Sequence, residues 1–178
     1  MAMRKASPLW WQGHAEALRT SAGVLWAYRS GELGQLSDHY ERGYGAGFTK
    51  PVYLMLCGMS LEMLFKGVLA ARRQKIPNTH RLLDLAHKVR MVTQPSTQTY
   101  LEVLTHSIIW SGRYPVPNTA QDWLEEGNLK AKMAGNGTFA EQIRRSEATT
   151  GWTAFDQVWM QAYTILNHEL PDWEFRGL

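Results

Sequence analysis

This chain of 178 residues is poor in several things, and each shortage excludes a class of protein. It has one cysteine, Cys57, so it holds no intrachain disulfide framework and no multi-cysteine zinc site. Charged residues are 20% of the chain and the formal net charge is +3, too mild for the field of a dedicated nucleic-acid binder. Apolar residues at 44% are too many for global disorder. No strand-like alternation, internal repeat or low-complexity tract is present.

Long apolar runs are also scarce. The basic start, Met1 to Lys5, is followed by Gln12, His14, Glu16 and Arg19, which break any signal-peptide pattern. The most apolar stretch, Val52–Ala70, carries Glu62 and Lys66 four residues apart, and Gly58 and Gly67. Opposite charges at that spacing suit a helix buried in a soluble bundle better than a membrane span. The expectation is a cytoplasmic protein without a membrane segment.

The remaining pattern is helical. Ser7-Pro8 starts a first helix, with Trp11, His14, Leu18, Leu25 and Tyr28 at helical spacing. Five glycines in residues 31–48 predict a loop. Thr49-Lys50-Pro51 opens a second helix to about Gln74, apolar almost all round and therefore central. Pro77-Asn78-Thr79 caps a third helix with Leu82, Leu85, Ala86, Val89 and Val92 on one face. Pro95-Ser96 starts a fourth, through Tyr100, Leu104 and Ile108 to Gly112. Residues 118–150 read as an irregular or short-helix insertion, with a capping box at Thr138–Glu141. A last helix runs from Trp152 to Pro171. The fold expected is all-α, a single domain over 1–178 with five to seven helices.

Charge is unevenly placed. Between residues 62 and 90, Lys66, Arg72, Arg73, Lys75, Arg81, Lys88 and Arg90 face only Glu62 and Asp84, a local net of +5. Such a corner can meet phosphates, or be an ordinary solvated helix end favoured by the macrodipole. Eight tryptophans suggest base stacking, but Trp11, Trp110, Trp152 and Trp159 fall on apolar faces and read as core. Trp123 and Trp173 are the ones expected to be exposed.

Other motifs carry little. Gly43-Tyr44-Gly45-Ala46-Gly47 lacks the Gly-Lys-Ser/Thr ending of a phosphate loop. Asp84/His87 and Glu102/His106 each share a helix face, but no Glu-x-x-His occurs, so no metal site and no cofactor are expected.

Leu61 to Leu69, with its Glu62-x-x-x-Lys66 pattern, then Thr79-His80-Arg81-Leu82-Leu83-Asp84-Leu85, then Gly112-Arg113-Tyr114-Pro115, together resemble HEPN domains over roughly residues 50–117. The resemblance implies a HEPN-like helical bundle with four core helices plus additional short helices, often a homodimer. Family members include RNase toxins, defence proteins and partners of nucleotidyltransferases. The active RNases are metal-independent and use Arg-x(4–6)-His.

Arg113 lies nearest that motif's position but has no His at the required distance. Arg73/His80 and Arg81/His87 match the spacing elsewhere, which makes His80, Arg81, His87 and Arg113 the catalytic candidates. Glu62, Lys66, Arg72, Arg73, His80, Arg113 and Tyr114 are the binding candidates; Glu62 and Lys66 either form an intrahelical pair half buried in the bundle or point into a polar pocket shared with His80, Arg113 and Tyr114. Three readings follow. The first is a dimeric module binding RNA, a nucleotide or a nucleotidyltransferase-type partner, in a toxin–antitoxin or defence setting. The second is a metal-independent endoribonuclease. The third is an interaction scaffold with no ligand.

Overall fold

A computed structural model describes residues 7–31, 45–114 and 119–170. Most of the expected Gly-rich loop, the Pro115–Pro117 stretch and Trp173 lie outside these. Among the described residues the fold is all-helical, with no strand.

Helix α1 (Pro8–Arg29) begins with Pro at its first position, where a missing amide proton costs nothing. The face it buries is the expected one, with Trp11, Leu18 and Leu25 half-buried, but small residues form its centre. Pro8, Ala15 and Ala22, seven apart, are buried, while His14 is exposed and Leu18 only half-buried. Small residues at the contact let α1 lie close on α2 (Gly45–Ala71), the central helix. Trp11 Cβ comes within 3.1 Å of where a Cβ on Gly67 would stand.

Helix α2 starts four residues before Thr49, so Pro51 lies inside it. Pro51 has no amide proton to donate within the helix, which omits one hydrogen bond near the N-terminal end. From Tyr53 to Ala70 every residue of α2 is buried or half-buried. The helix is long and apolar enough to cross a membrane, yet most of that surface is covered by its neighbours.

Helix α2 ends at Ala71 rather than near Gln74, and α3 (Leu82–Lys88) is short. Its N-cap is Arg81, not Thr79, and the Leu82 amide donates to Thr105 Oγ1 (3.0 Å) on α4 (Pro95–His106). Leu82, Leu85, Ala86 and Val89 are buried as the spacing predicts. Val92 is not: it is 76% exposed, because the chain turns at Arg90 and Met91 takes the core position.

Helix α4 opens at Pro95 with Gln94 as N-cap, so Ser96 is not the cap. It continues into a π-helical turn, Ser107–Ser111, closed by the Gly112 amide on the Ser107 carbonyl (3.0 Å). This turn crosses α2 at two glycines. A Cβ on Gly58 would lie 2.8 Å from Ile108 Cγ1, and one on Gly112 would lie 2.7 Å from the Ser107 carbonyl oxygen and collide with Met55.

The segment expected to be irregular or short-helical holds α5 (Ala120–Ala134) and α6 (Phe139–Thr150). Each has a side-chain N-cap: Thr119 on the Asp122 amide (3.1 Å), and the full Thr138/Glu141 capping box. No described side chain of α5 or α6 joins the hydrophobic core. Lys132–Glu102 (3.1 Å) and His106–Glu125 (3.8 Å) tie α5 to α4.

Helix α7 (Trp152–Glu169) returns to the core with Phe155, Val158, Trp159, Ala162 and Leu166. Trp159 Nε1 donates to Ser60 Oγ (2.9 Å), which donates to the Ala15 carbonyl (2.7 Å), joining α7, α2 and α1 through one buried hydroxyl. Arg19 of α1 pairs with Asp156, its guanidinium 4.4 Å from the Trp159 ring centroid. Trp159 is buried and Trp26 and Trp152 pack against the core, whereas Trp10 and Trp123 are exposed. Tryptophan thus serves mostly as packing.

Two glycine substitutions test these crossings. Gly112→Ala should destabilise the fold by ~1–3 kcal/mol, seen as a lower thermal midpoint, since neither Met55 Cβ nor a backbone carbonyl can give way cheaply. Gly127→Ala, in α5 with nothing within 4 Å, should instead raise stability by ~0.5–1 kcal/mol.

Candidate functional site

Glu62 and Lys66 face one another across one turn of the helix that the core encloses. Glu62 is 3% exposed and Lys66 is 7% exposed. Lys66 Nζ donates to Glu62 Oε1 at 2.6 Å. A buried carboxylate needs partners for both oxygens. The second oxygen is met by His80 Nδ1 at 2.9 Å, reaching in from the turn between α2 and α3. A carboxylate cannot donate, so Nδ1 carries the proton. The His80 side chain is 50% exposed, and Nε2 has no protein partner among the described residues. The triad therefore runs from core to solvent and ends on a free ring nitrogen.

Arg72 is not a free binding group. Its Nε and Nη2 meet Glu169 Oε1 (2.9 and 2.8 Å), and Nη1 donates to the Val89 carbonyl (3.0 Å). It clasps the C-terminal ends of α2, α3 and α7. Arg73, Lys75, Arg81, His87, Lys88 and Arg90 are exposed around the turn and along α3. Of these, Arg81 pairs with Asp84 at 3.1 Å. The basic corner is thus real at the surface, though Lys66 and Arg72 belong to the interior.

Arg73 and Arg90 share a feature that composition hides. Both adopt left-handed backbone, φ 53° and 61°. Each is the residue just past a helix end closed by a pair of bonds: Arg73 and Gln74 amides to the Ala70 and Leu69 carbonyls, Arg90 and Met91 amides to those of His87 and Ala86. Glycine is the usual occupant of that position. For any other L-residue the conformation costs roughly 1 kcal/mol. The only signal in the sequence is that neither helix is followed by Gly or Asn.

Arg113 and Tyr114 follow the π turn and are both exposed. No hydrogen bond or ion pair joins them to Glu62, Lys66 or His80, so the expected shared pocket is reduced to the last three. Among the described residues no cluster of three or more His, Cys, Asp or Glu can hold a metal ion. Asp84 is turned to Arg81, Glu102 to Lys132 and His106 to Glu125. Deep in the core, Cys57 and Tyr100 are buried, and desolvation pushes both thiol and phenol upward, so neither ionises in the native fold.

No protein family, curated protein or solved structure matches this chain.

Removing one member of the buried pair should be worse than removing both. Lys66→Met strips Glu62 of its buried cation and should cost about 3 kcal/mol in urea unfolding, whereas Glu62→Leu/Lys66→Met should fall within about 1 kcal/mol of the parent. Equal losses would show that the pair does not behave as a buried charge couple.

Proposed function

We propose that this chain is a HEPN-like helical module that binds RNA through the basic corner formed by the α2–α3 turn and α3, without an intact catalytic motif at Arg113. The supporting observation is the pair of left-handed arginines. Arg73 and Arg90 stand where glycine would make a more stable helix end, and both are exposed in the basic corner. A residue kept against local backbone preference points to a use other than folding. The helix macrodipole favours a cation there, by about 0.3–1 kcal/mol, which offsets the strain only in part. Exposed cations along one turn and one short helix, with Asp84 paired to Arg81 and Glu169 to Arg72, suit a phosphate chain. The family resemblance adds a homodimer and a toxin–antitoxin or defence setting to this reading.

The test opposes stability to affinity. Arg73→Gly/Arg90→Gly should leave the thermal midpoint unchanged or raised, while weakening single-stranded RNA binding several-fold in fluorescence anisotropy. The slope of log affinity against log salt should shrink by about 0.7 for each phosphate that the variant no longer neutralises. Unchanged affinity, or a parent protein that shows no salt-dependent binding, would refute the reading.

A second reading, a metal-independent endoribonuclease, is favoured by one observation. His80 is oriented by a buried carboxylate and presents a free, exposed Nε2, the arrangement a proton shuttle needs. It predicts RNA cleavage in EDTA that disappears in His80→Ala.

A further inference from the structure

We infer that His80 is a proton-gated phosphate ligand within the basic corner, making RNA binding stronger as pH falls. This rests on the reading of that corner as an RNA-binding face. The starting point is charge. Glu62 is already neutralised by Lys66, so the buried pair carries no net charge. With Nδ1 donating to Glu62, neutral His80 presents the bare lone pair of Nε2 to solvent. A phosphate oxygen is also an acceptor, and the two repel. Protonation converts Nε2 into a donor and places one uncompensated positive charge at the surface end of the triad. The Glu62 carboxylate holds the ring in place in both states, so Nε2 needs no reorientation to receive a phosphate. Histidine is the side chain whose ordinary charge change falls between about pH 5 and pH 8.

The surroundings add to the same sign. From α2 come Glu62 and Lys66, bonded to each other. The turn brings Arg73 and Lys75, and α3 brings His87, Lys88 and the Arg81–Asp84 pair. From α4, Thr105 meets the Leu82 amide, while Glu102 and His106 are engaged with Lys132 and Glu125 of α5. Glu62 is thus the one carboxylate that touches His80, and its other oxygen is taken. His87, exposed in the same corner without a carboxylate partner among the described residues, serves as an internal control.

The test is a short labelled single-stranded RNA titrated by anisotropy from about pH 8 to about pH 5.5 at fixed ionic strength. The parent should tighten roughly tenfold, the size of one charge-assisted hydrogen bond. His80→Gln should lose most of that gain, read as the ratio of its own affinities at the two ends of the pH range. His87→Gln should keep it. His80→Lys, permanently charged, should bind with little pH dependence. Calorimetry in buffers of different ionisation enthalpy should show proton uptake on binding by the parent and none by His80→Gln. A nucleoside monophosphate arm separates sources: displacement of RNA with the same pH step assigns the contact to a free nucleotide, and no displacement assigns it to the polymer. A pH gain that survives in His80→Gln overturns the inference while the RNA-binding reading stands. Absence of RNA binding by the parent at every pH overturns both.

Discussion

A central helix that is covered on all sides cannot leave a charge unpaired, and α2 carries two. From Tyr53 to Ala70 no residue of this helix is exposed and Glu62 and Lys66 are buried, so both must be satisfied by protein. One turn of helix lets them meet each other. A carboxylate has a second oxygen, however, and no other α2 side chain meets it. The answer comes from outside the helix: the chain turns after α2 so that His80 reaches back to Glu62. The same turn opens on bonds that need a left-handed residue, Arg73, as α3 closes on Arg90, and it is pinned by Arg72 on Glu169 and the Val89 carbonyl. The demand of one buried carboxylate thus helps to fix where the basic corner sits.

Close helix packing is the second condition. A sheathed α2 requires neighbours that approach it without large side chains between. Ala15 and Ala22 on α1, and Gly58 and Gly112 at the α4 crossing, supply those approaches. At such distances a polar group must be satisfied within the contact. Ser60 does this by taking the Trp159 indole and giving its proton to the Ala15 carbonyl. The core is therefore knit by hydrogen bonds as well as by apolar contact, and Trp159 belongs to that network rather than to any base-stacking surface.

What the residues reveal in advance follows from how local each cause is. The central position of α2, the buried side of α3 up to Val89, the Thr138–Glu141 cap and the exposure of Trp123 are all set by neighbours within a few positions. On α1 the spacing of Trp11, Leu18 and Leu25 names the right face, but it does not reveal that Ala15 and Ala22 on that face are its most buried residues. The α5–α6 pair reads only as an irregular or short-helix insertion because its helices bury little apolar surface and are held by caps and surface ion pairs. Within the candidate site, Glu62–Lys66 is visible as an i,i+4 pair. The pocket reading also places His80 with that pair, across eighteen positions, whereas Arg72 reaches Glu169 across ninety-seven, a distance no local pattern encodes.

The two features that mark the corner are of different kinds, and this gives them joint force. The left-handed arginines concern backbone: charge is retained where folding favours glycine. The triad concerns side chains: a buried carboxylate fixes a ring whose outer nitrogen faces solvent. A purely structural role would account for the second, since Glu62 needs a partner, but Ser, Thr or Asn at position 80 would meet that need with a neutral donor. A purely electrostatic surface would account for the first, but it has no use for a fixed imidazole. A site that receives phosphate and responds to protons has use for both; Arg73 shares the α2–α3 turn with His80, and Arg90 closes the far end of α3.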